Sequence, residues 1–186
     1  EAHGLSRGNG SVLVAANAQG GDCGSAAFVP GMVGHDGASI SLIDRVSGTS
    51  RGHVSLEQIA TSGAGASGGV GSTPGKAGNA ESILTATNAG GGSLSALTRA
   101  TAGRGGNVPG GKRQTADFVT ARTDIEGVLG LSAEATALNG VSAEAYARAQ
   151  QHASASGVAA QQAVRTVARA AGESSESAHS IAINEN

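Results

Sequence analysis

Apolar and polar residues alternate along several short runs of this chain. In the run VSLEQIA, which begins at Val54, every second residue falls on one side, and the run LSALTRATA, which begins at Leu94, repeats this pattern. A period of two places successive side chains on opposite faces of a β-strand. Glycine-rich segments separate the runs and permit tight turns. The pattern therefore predicts short strands joined by glycine-rich turns and loops.

The runs recur at similar spacings along the chain. An offset of 40 aligns Val54 with Leu94 and Ala60 with Ala100, and an offset of 42 takes Val54 back to Val12. Each unit contains a first apolar run (A), a short turn, a second run (B) and a longer loop. The prolines lie in the loop after run B, where no ladder hydrogen bond needs their missing N–H group. This organisation predicts a repeat array, in which neighbouring units bury a continuous seam.

The same comparison extends the repeat toward both ends. An offset of 42 aligns Leu42 with Leu84, and an offset of 35 aligns Leu84 with Val119 and Leu129 with Val164. We predict one repetitive domain over residues 1–186. Its parts are an N-terminal half-repeat at about 4–21, repeats at about 36–79, 80–114, 115–150 and 151–176, and a C-terminal half-repeat at about 178–186.

The predicted fold is all-β, either a repetitive β-solenoid or a thin stack of two sheets with glycine-rich loops. The C-terminal third leaves a helical alternative open, because its Ala, Glu, Gln and Arg residues are strong helix formers. Its run AEAYARAQ nevertheless alternates with period two, which favours strand over helix across residues 141–172. We expect the repeat core to consist of Leu42, Val54, Leu56, Leu84, Leu94, Leu129, Leu131 and Val164.

The two ends of the sequence carry unmatched runs. The N-terminal run SVLVAANAQGG resembles a B run, and the C-terminal run SIAINEN resembles an A run. Unpaired strand edges add further strands readily, so the last run of one copy is expected to complete the first run of the next. The alternative is that both half-units belong to interrupted repeats of a longer polypeptide. The predicted polymer interface consists of Val12, Val14, Ala16, Ala18, Ile181 and Ile183.

Composition narrows the class of protein. Glycine supplies 31 of the 186 residues, aromatic residues are 2% and charged residues are 14%. So few large side chains predict a thin core of alanine and valine. A formal net charge of −2 gives no electrostatic footprint for nucleic acid and no basic stripe for a membrane surface.

The runs VSGTSRGHVSLEQIATSGAGASGG and NAGGGSLSALTRATAGRGG support a resemblance. They are similar to the Gly/Ala/Ser/Thr-rich β-strand repeats of large secreted bacterial surface and extracellular-matrix proteins. The similarity is one of composition and rhythm and covers residues 36–137 best. It implies an exported, structural or adhesive protein, with the signal peptide already removed.

The sequence offers little chemistry. None of the histidines pairs with another histidine or with Cys23 at metal-ligand spacing, and the glycine clusters lack the Lys-Ser/Thr pair of a phosphate-binding loop. We therefore expect no catalytic, metal or cofactor site and no enzyme activity. A flat ice-binding face would need threonine at the same place in every unit. The positions that match Thr85 are Ile43 and Thr120, so the array is irregular.

These observations lead to one expectation and two alternatives. We expect a secreted structural protein that assembles with itself head-to-tail into an extracellular fibre or matrix. It has no nucleic-acid partner and no membrane insertion, and a surface or polysaccharide ligand is left open. The first alternative is a stalk or spacer segment of a larger bacterial adhesin, and the second is a disordered glycine-rich chain.

Overall fold

The computed structural model describes residues 1–24, 31–152 and 163–184. Over these residues the protein is all-β and has no helix, which confirms the predicted fold class at this level. The strands are β1 (Ala2–Leu5), β2 (Val12–Gln19), β3 (Ile40–Ile43), β4 (Val46–Thr49), β5 (His53–Thr61), β6 (Ala80–Thr87), β7 (Ser93–Thr101), β8 (Ala116–Gly127), β9 (Leu129–Gln151) and β10 (Val164–Asn184).

The main sheet follows the order β2-β5-β7-β9-β8-β6-β3, with β10 paired to β9. Every strand pair in it is parallel. The long strand β9 pairs with β7 through its first part and with β8 through its second part, so the sheet folds over and nearly closes on itself. We call the side with β2, β5 and β7 the B half and the side with β3, β6 and β8 the A half. Strands β9 and β10 run through both.

The two halves face each other across a thin core of small residues. In the second part of β9 every second residue from Ala143 to Ala149 is alanine, and each is at most 1% exposed. Larger residues form one level of the B half, where Val12, Val54, Leu94 and Leu131 lie side by side on successive strands. Alanine lets two sheets approach closely, which explains how a chain with few large side chains buries a core.

Short turns link the halves on one side, and a small parallel ladder covers part of that side. Strand β1 pairs with β4, so that Gly4 lies level with Gly48. Asp44 has a φ of 48° and separates β3 from β4. The left-handed conformation is one that aspartate tolerates better than most residues, because its short side chain bonds locally. The side chain of Asp44 here accepts a hydrogen bond from the N–H of Thr85.

On the other side, long glycine-rich loops pack against one another in three layers. The first layer contains 20–24 and 31–39, the second 62–79 and the third 102–115. The N–H groups of Ser62, Gly65 and Gly68 donate to the carbonyl oxygens of Thr101, Arg104 and Asn107. One donor in every three residues is the period of a polyproline II helix, which has no internal hydrogen bonds. The loops are therefore a bundle of extended segments bonded to one another.

Close approach explains why glycine is needed in this bundle. A Cβ atom on Gly63 would overlap the carbonyl oxygen of Gly21, and one on Gly75 would overlap that of His35. The contacted atoms belong to backbone that is itself hydrogen-bonded to neighbouring segments. Glycine in these loops is thus a packing requirement.

The described part of the C-terminal third consists almost entirely of strand. Both 129–151 and 164–184 are extended, so the helical alternative is wrong for these residues, while 153–162 lie outside the described residues. Helix propensity is a weak preference that tertiary packing overrides. Here a strand buries Ala143, Ala145, Ala147 and Ala149 together on one face, whereas a helix would distribute them around its axis.

Candidate assembly edges and surface sites

Two strands of the B half lie at opposite ends of the stack. Strand β2 pairs with β5 and β10 pairs with β9, and in the described part of the chain neither has a second neighbour. The same holds in the A half for β3, which pairs with β6. An unpaired edge carries a row of backbone donors and acceptors that can bond another strand. The edges of β2, β3 and β10 are therefore the candidate functional surface.

The structure places the predicted interface residues of β2 on the core side. Val12 and Val14 are buried, and Ala16 and Ala18 are half-buried. The two valine side chains are covered by β1, since a Cβ on Gly4 would meet both of them. The backbone edge of β2 is open, although its valine side chains are not.

Ile181 and Ile183 lie elsewhere. They pair with Arg148 and Gln150, so they point away from the core, and Ile181 is 39% exposed. The inward residues of this part of β10 are instead Ala178, Ser180 and Ala182. The structure therefore does not bring the two isoleucines to the core level that Val12 and Val14 occupy.

The predicted core residues divide by their position in the stack. Val54, Leu56, Leu84, Leu94 and Leu131 are at most 1% exposed. Those at an end of the stack or of a strand, namely Leu42, Leu129 and Val164, are half-buried.

The first part of the last strand leaves its inward side chains half-covered. Val164 is level with Leu131, Ala168 with Ala135 and Ala170 with Ala137. The β9 residues in these pairs are buried, but their β10 counterparts are only half-buried because no further layer lies above them. An additional strand on β10 would therefore bury apolar surface as well as form backbone hydrogen bonds.

Polar side chains inside the core hold the two halves in register. The side-chain oxygen of Gln58 accepts from the N–H of Arg45 at 2.8 Å. Its amide nitrogen donates to the carbonyl oxygens of Leu42 and Ile83, at 3.0 and 2.9 Å. Gln58 is fully buried, and an unpaired amide there would be costly. It therefore fixes the position of β5 relative to β3 and β6.

The outer face of the A half carries a charged cluster that sequence reasoning missed. Asp124 lies between two guanidinium groups, 2.9 Å from that of Arg148 and 3.3 Å from that of Arg122. Arg122 also lies over the ring of Tyr146, 4.7 Å from its centroid. The hydrogen bond to Asp124 raises the pKa of Arg148 above its usual value. The alternation in TARTDIE and AEAYARAQ was visible, but the pairing that joins them was not.

A second ion pair lies near the loop bundle. The Lys76 ammonium contacts Asp117 at 2.8 Å, and this hydrogen bond raises the pKa of Lys76. Both side chains are largely exposed, so the pair is of the kind that contributes little to stability.

His53 and Cys23 form hydrogen bonds with residues of neighbouring segments. The two ring nitrogens of His53 lie 2.8 Å from the hydroxyls of Ser93 and Ser95. The thiol of Cys23 donates to the carbonyl oxygen of Asp36. Among the residues that the structure describes, no group of three or more His, Cys, Asp or Glu side chains is placed to hold a metal ion. Nor do these residues include a helix with the length and hydropathy of a membrane span.

Comparisons with protein-family models, with curated proteins and with solved structures find no match to this chain.

Proposed function

We propose that this protein is a secreted structural protein that assembles head-to-tail into an extracellular fibre or matrix. In this proposal the chain is a β-solenoid whose coils continue from one copy to the next. The strand β10 of one copy pairs with β2 and β3 of the next, and the assembly needs no catalytic residue.

One observation carries the proposal. Val12, Val54, Leu94, Leu131 and Val164 occupy the same level on successive strands of the B half. A further copy placed on β10 in the same register sets its Val12 beside Val164. The ladder of large apolar residues then continues across the junction, and the half-buried side of β10 is covered.

The A half supports the same junction. The second part of β10 covers the second part of β9, with Ala178 level with Ala145. In the next copy, β3 has an open edge on the side away from β6, and no described residue of that copy pairs with this edge. The second part of β10 would pair with it, so that one coil is formed by two copies.

Association of this kind has a physical driving force. All strands are parallel, so the two ends of the stack differ, and an end-to-end contact between them is heterologous. A heterologous contact that does not close into a ring produces a filament. Backbone hydrogen bonds supply the ladder, and the apolar level of Val164 supplies burial.

Secretion is part of the proposal because of the repeat-like composition and the resemblance to secreted bacterial surface proteins. The alternative is a stalk or spacer of a larger adhesin. It is favoured by the same open edges, since flanking coils of one polypeptide would cover them equally well.

Electron microscopy of the purified chain tests the proposal. We compare Ala168→Lys, a half-buried inward position of β10, with Val167→Lys, its half-buried neighbour that faces outward. We expect filaments from the wild type and from Val167→Lys, and single particles from Ala168→Lys with an unchanged circular dichroism spectrum. Isolated rods from all three proteins would favour the spacer, and filaments of equal length from all three would exclude β10 as the junction.

A further inference from the structure

The third loop layer is open on the side that faces the coils of β9 and β10. Strands β9 and β10 pass from the B half to the A half by short corners, at Asn139–Gly140 and at Ala171–Glu173, where the earlier coils have long loops. Asn139 makes its corner with a φ of 72°. The third layer, 102–115, is therefore left without a loop above it.

A cleft of about 390 Å³ lies on this open side. Its lining includes Gly103, Arg104 and Gly105 from the outgoing segment of the third layer, and Arg113 from the returning segment. The corners of β9 and β10 form the opposite wall. The volume lies within the range of ligand-binding clefts in proteins.

Hydrogen bonds made below the cleft determine which way the backbone points. The carbonyl oxygens of Arg104 and Asn107 accept from Gly65 and Gly68 in the second layer. In a trans peptide the C=O and N–H of one unit point in opposite directions. The N–H groups of Gly105 and Val108 therefore point away from the second layer and toward the open side.

These two N–H groups have no acceptor in the described part of the chain. The N–H of Ala102, three residues before Gly105, donates to the carbonyl oxygen of Leu138 in the next coil. The N–H groups of this segment thus bond an acceptor in the layer above wherever one is present. Gly105 and Val108 are both buried residues. Gly105 lines the cleft, and Val108 follows it three residues later in the same segment. Backbone N–H groups need an acceptor from protein or solvent, so these two groups are donors that a bound strand can use.

The charges around the cleft are mainly basic. Neither Arg104 nor Arg113 forms an ion pair with the residues that the structure describes. Glu173, the acidic residue in the lining, accepts a hydrogen bond from the hydroxyl of Thr115. A guanidinium pairs well with a carboxylate, often through two hydrogen bonds.

We propose that this cleft binds an extended, acidic, glycine-rich peptide segment as a fourth layer of the loop bundle. Carbonyl oxygens three residues apart in the peptide accept from Gly105 and Val108, about 9 Å apart at the rise of a polyproline II helix. Carboxylates of the peptide pair with Arg104 and Arg113. Glycine at every third position is required because the existing layers approach at distances that exclude a Cβ atom. The site lies on a single copy and does not depend on filament formation.

The probe is a nine-residue peptide with blocked ends that contains three Gly-Asp-Ser repeats. Its control carries alanine in place of each glycine. Hydrogen exchange measured by NMR on the full chain reports the two amides directly. We expect the glycine peptide to slow exchange of the Gly105 and Val108 amides at least tenfold and the alanine peptide to leave them unchanged. Fast exchange of both amides at millimolar glycine peptide would overturn the proposal.

Two variants separate this site from general attraction of anions. The double substitution Arg104→Gln, Arg113→Gln should raise the peptide Kd at least tenfold, whereas Arg51→Gln, at an exposed position between β4 and β5, should leave it unchanged. Insertion of the second-layer loop, residues 62–79, between Asn139 and Gly140 should cover the third layer, fill the cleft and abolish peptide binding. Equal binding of the alanine peptide, or complete competition by inorganic phosphate, would show an anion site and overturn the proposed strand addition.

Discussion

The hydroxyl oxygen of Thr98 lies 2.8 Å from that of Thr123, and this hydrogen bond crosses the core between the B half and the A half. The hydroxyl of Thr123 donates to the carbonyl oxygen of Glu134 at 2.6 Å, so the hydroxyl of Thr98 must be the donor to Thr123. Both side chains are fully buried. A directed chain of donors therefore runs from β7 through β8 to β9.

This direction makes the two threonines unequal. Thr123→Val removes both hydrogen bonds and leaves the Thr98 hydroxyl without its acceptor, so we expect a loss of about 1–3 kcal/mol in the free energy of unfolding. Thr98→Val leaves Thr123 still bonded to Glu134 and should cost about 0.5–1.5 kcal/mol. Urea denaturation measures both. The double variant should lose less than the sum of the single losses, and additive losses would contradict the shared chain.

Gln58 should be the most sensitive polar residue of the core. Gln58→Leu removes the acceptor of the Arg45 N–H and the donor to the Leu42 and Ile83 carbonyls, so several buried groups lose partners at once. Because each such group costs about 1–3 kcal/mol, we expect a total loss of at least about 3 kcal/mol. Thermal unfolding followed by circular dichroism tests this. Glu57→Leu, on the outward face of the same strand, is the control and should change stability by less than about 1 kcal/mol.

The loop bundle yields a matched pair of glycine substitutions. A Cβ on Gly63 would overlap the carbonyl oxygen of Gly21, whereas a Cβ on Gly21 itself meets no atom within 4 Å. Gly63→Ala should therefore destabilise the protein by more than about 2 kcal/mol, and it should increase exchange of the Gly65 and Gly78 amides. Gly21→Ala should be close to neutral. Equal effects of the two substitutions would show that the layers do not pack as closely as the structure has them.

Sequence reasoning found the strands of the B half because large apolar residues mark them. The structure pairs Val54 with Val12 and with Leu94, the same residues that offsets of 42 and 40 align. The offset of 35 was wrong in both halves: it aligned Leu84 with Val119 and Leu129 with Val164, whereas the structure pairs Leu84 with Thr123 and Val164 with Leu131. In the A half, small alanine, serine and threonine residues recur along β6 and β8, so several registers bury similar side chains and the sequence alone does not distinguish them.

The loop bundle and the surface sites were less predictable for a different reason. The spacing of Gly34 and Gly37, and of Gly75 and Gly78, was a period-three signal that could have indicated polyproline II segments. The open N–H groups of Gly105 and Val108, in contrast, depend on the short corner of β9. The sequence around Gly105 gives no sign that a distant coil lacks its loop, so this cleft could be recognised only from the three-dimensional structure.

Glu176 should slow the proposed filament assembly. It pairs with Ala143, a buried inward position, so it is on the core side of β10 and at the end of the stack. A further copy would place its Ile40 over this carboxylate, and inward-pointing charges are a known means of protecting an edge. Glu176→Ala should shorten the lag of filament growth, measured by light scattering. Glu173→Ala is the control within the same strand. An unchanged lag for Glu176→Ala would place the junction elsewhere.

The proposed filament has a predictable axial repeat. Each copy contributes five strand positions to each half of the sheet: β2, β5, β7 and the first parts of β9 and β10 in the B half, and β3, β6, β8 and the second parts of β9 and β10 in the A half. Parallel strands are about 4.8 Å apart, so a junction that keeps this spacing advances about 24 Å per copy.

Fibre diffraction or cryo-electron microscopy should therefore show a layer line at about 24 Å together with the strong reflection at about 4.8 Å. Amyloid formed from unfolded chains would repeat only the 4.8 Å spacing, because every layer is then the same segment. The longer repeat distinguishes the two, since it requires the folded copy as the unit. A filament with the 4.8 Å reflection alone, or with an axial repeat that is not five strands high, would show that β10 does not pair with β2 of the next copy in the register set by Val12 and Val164.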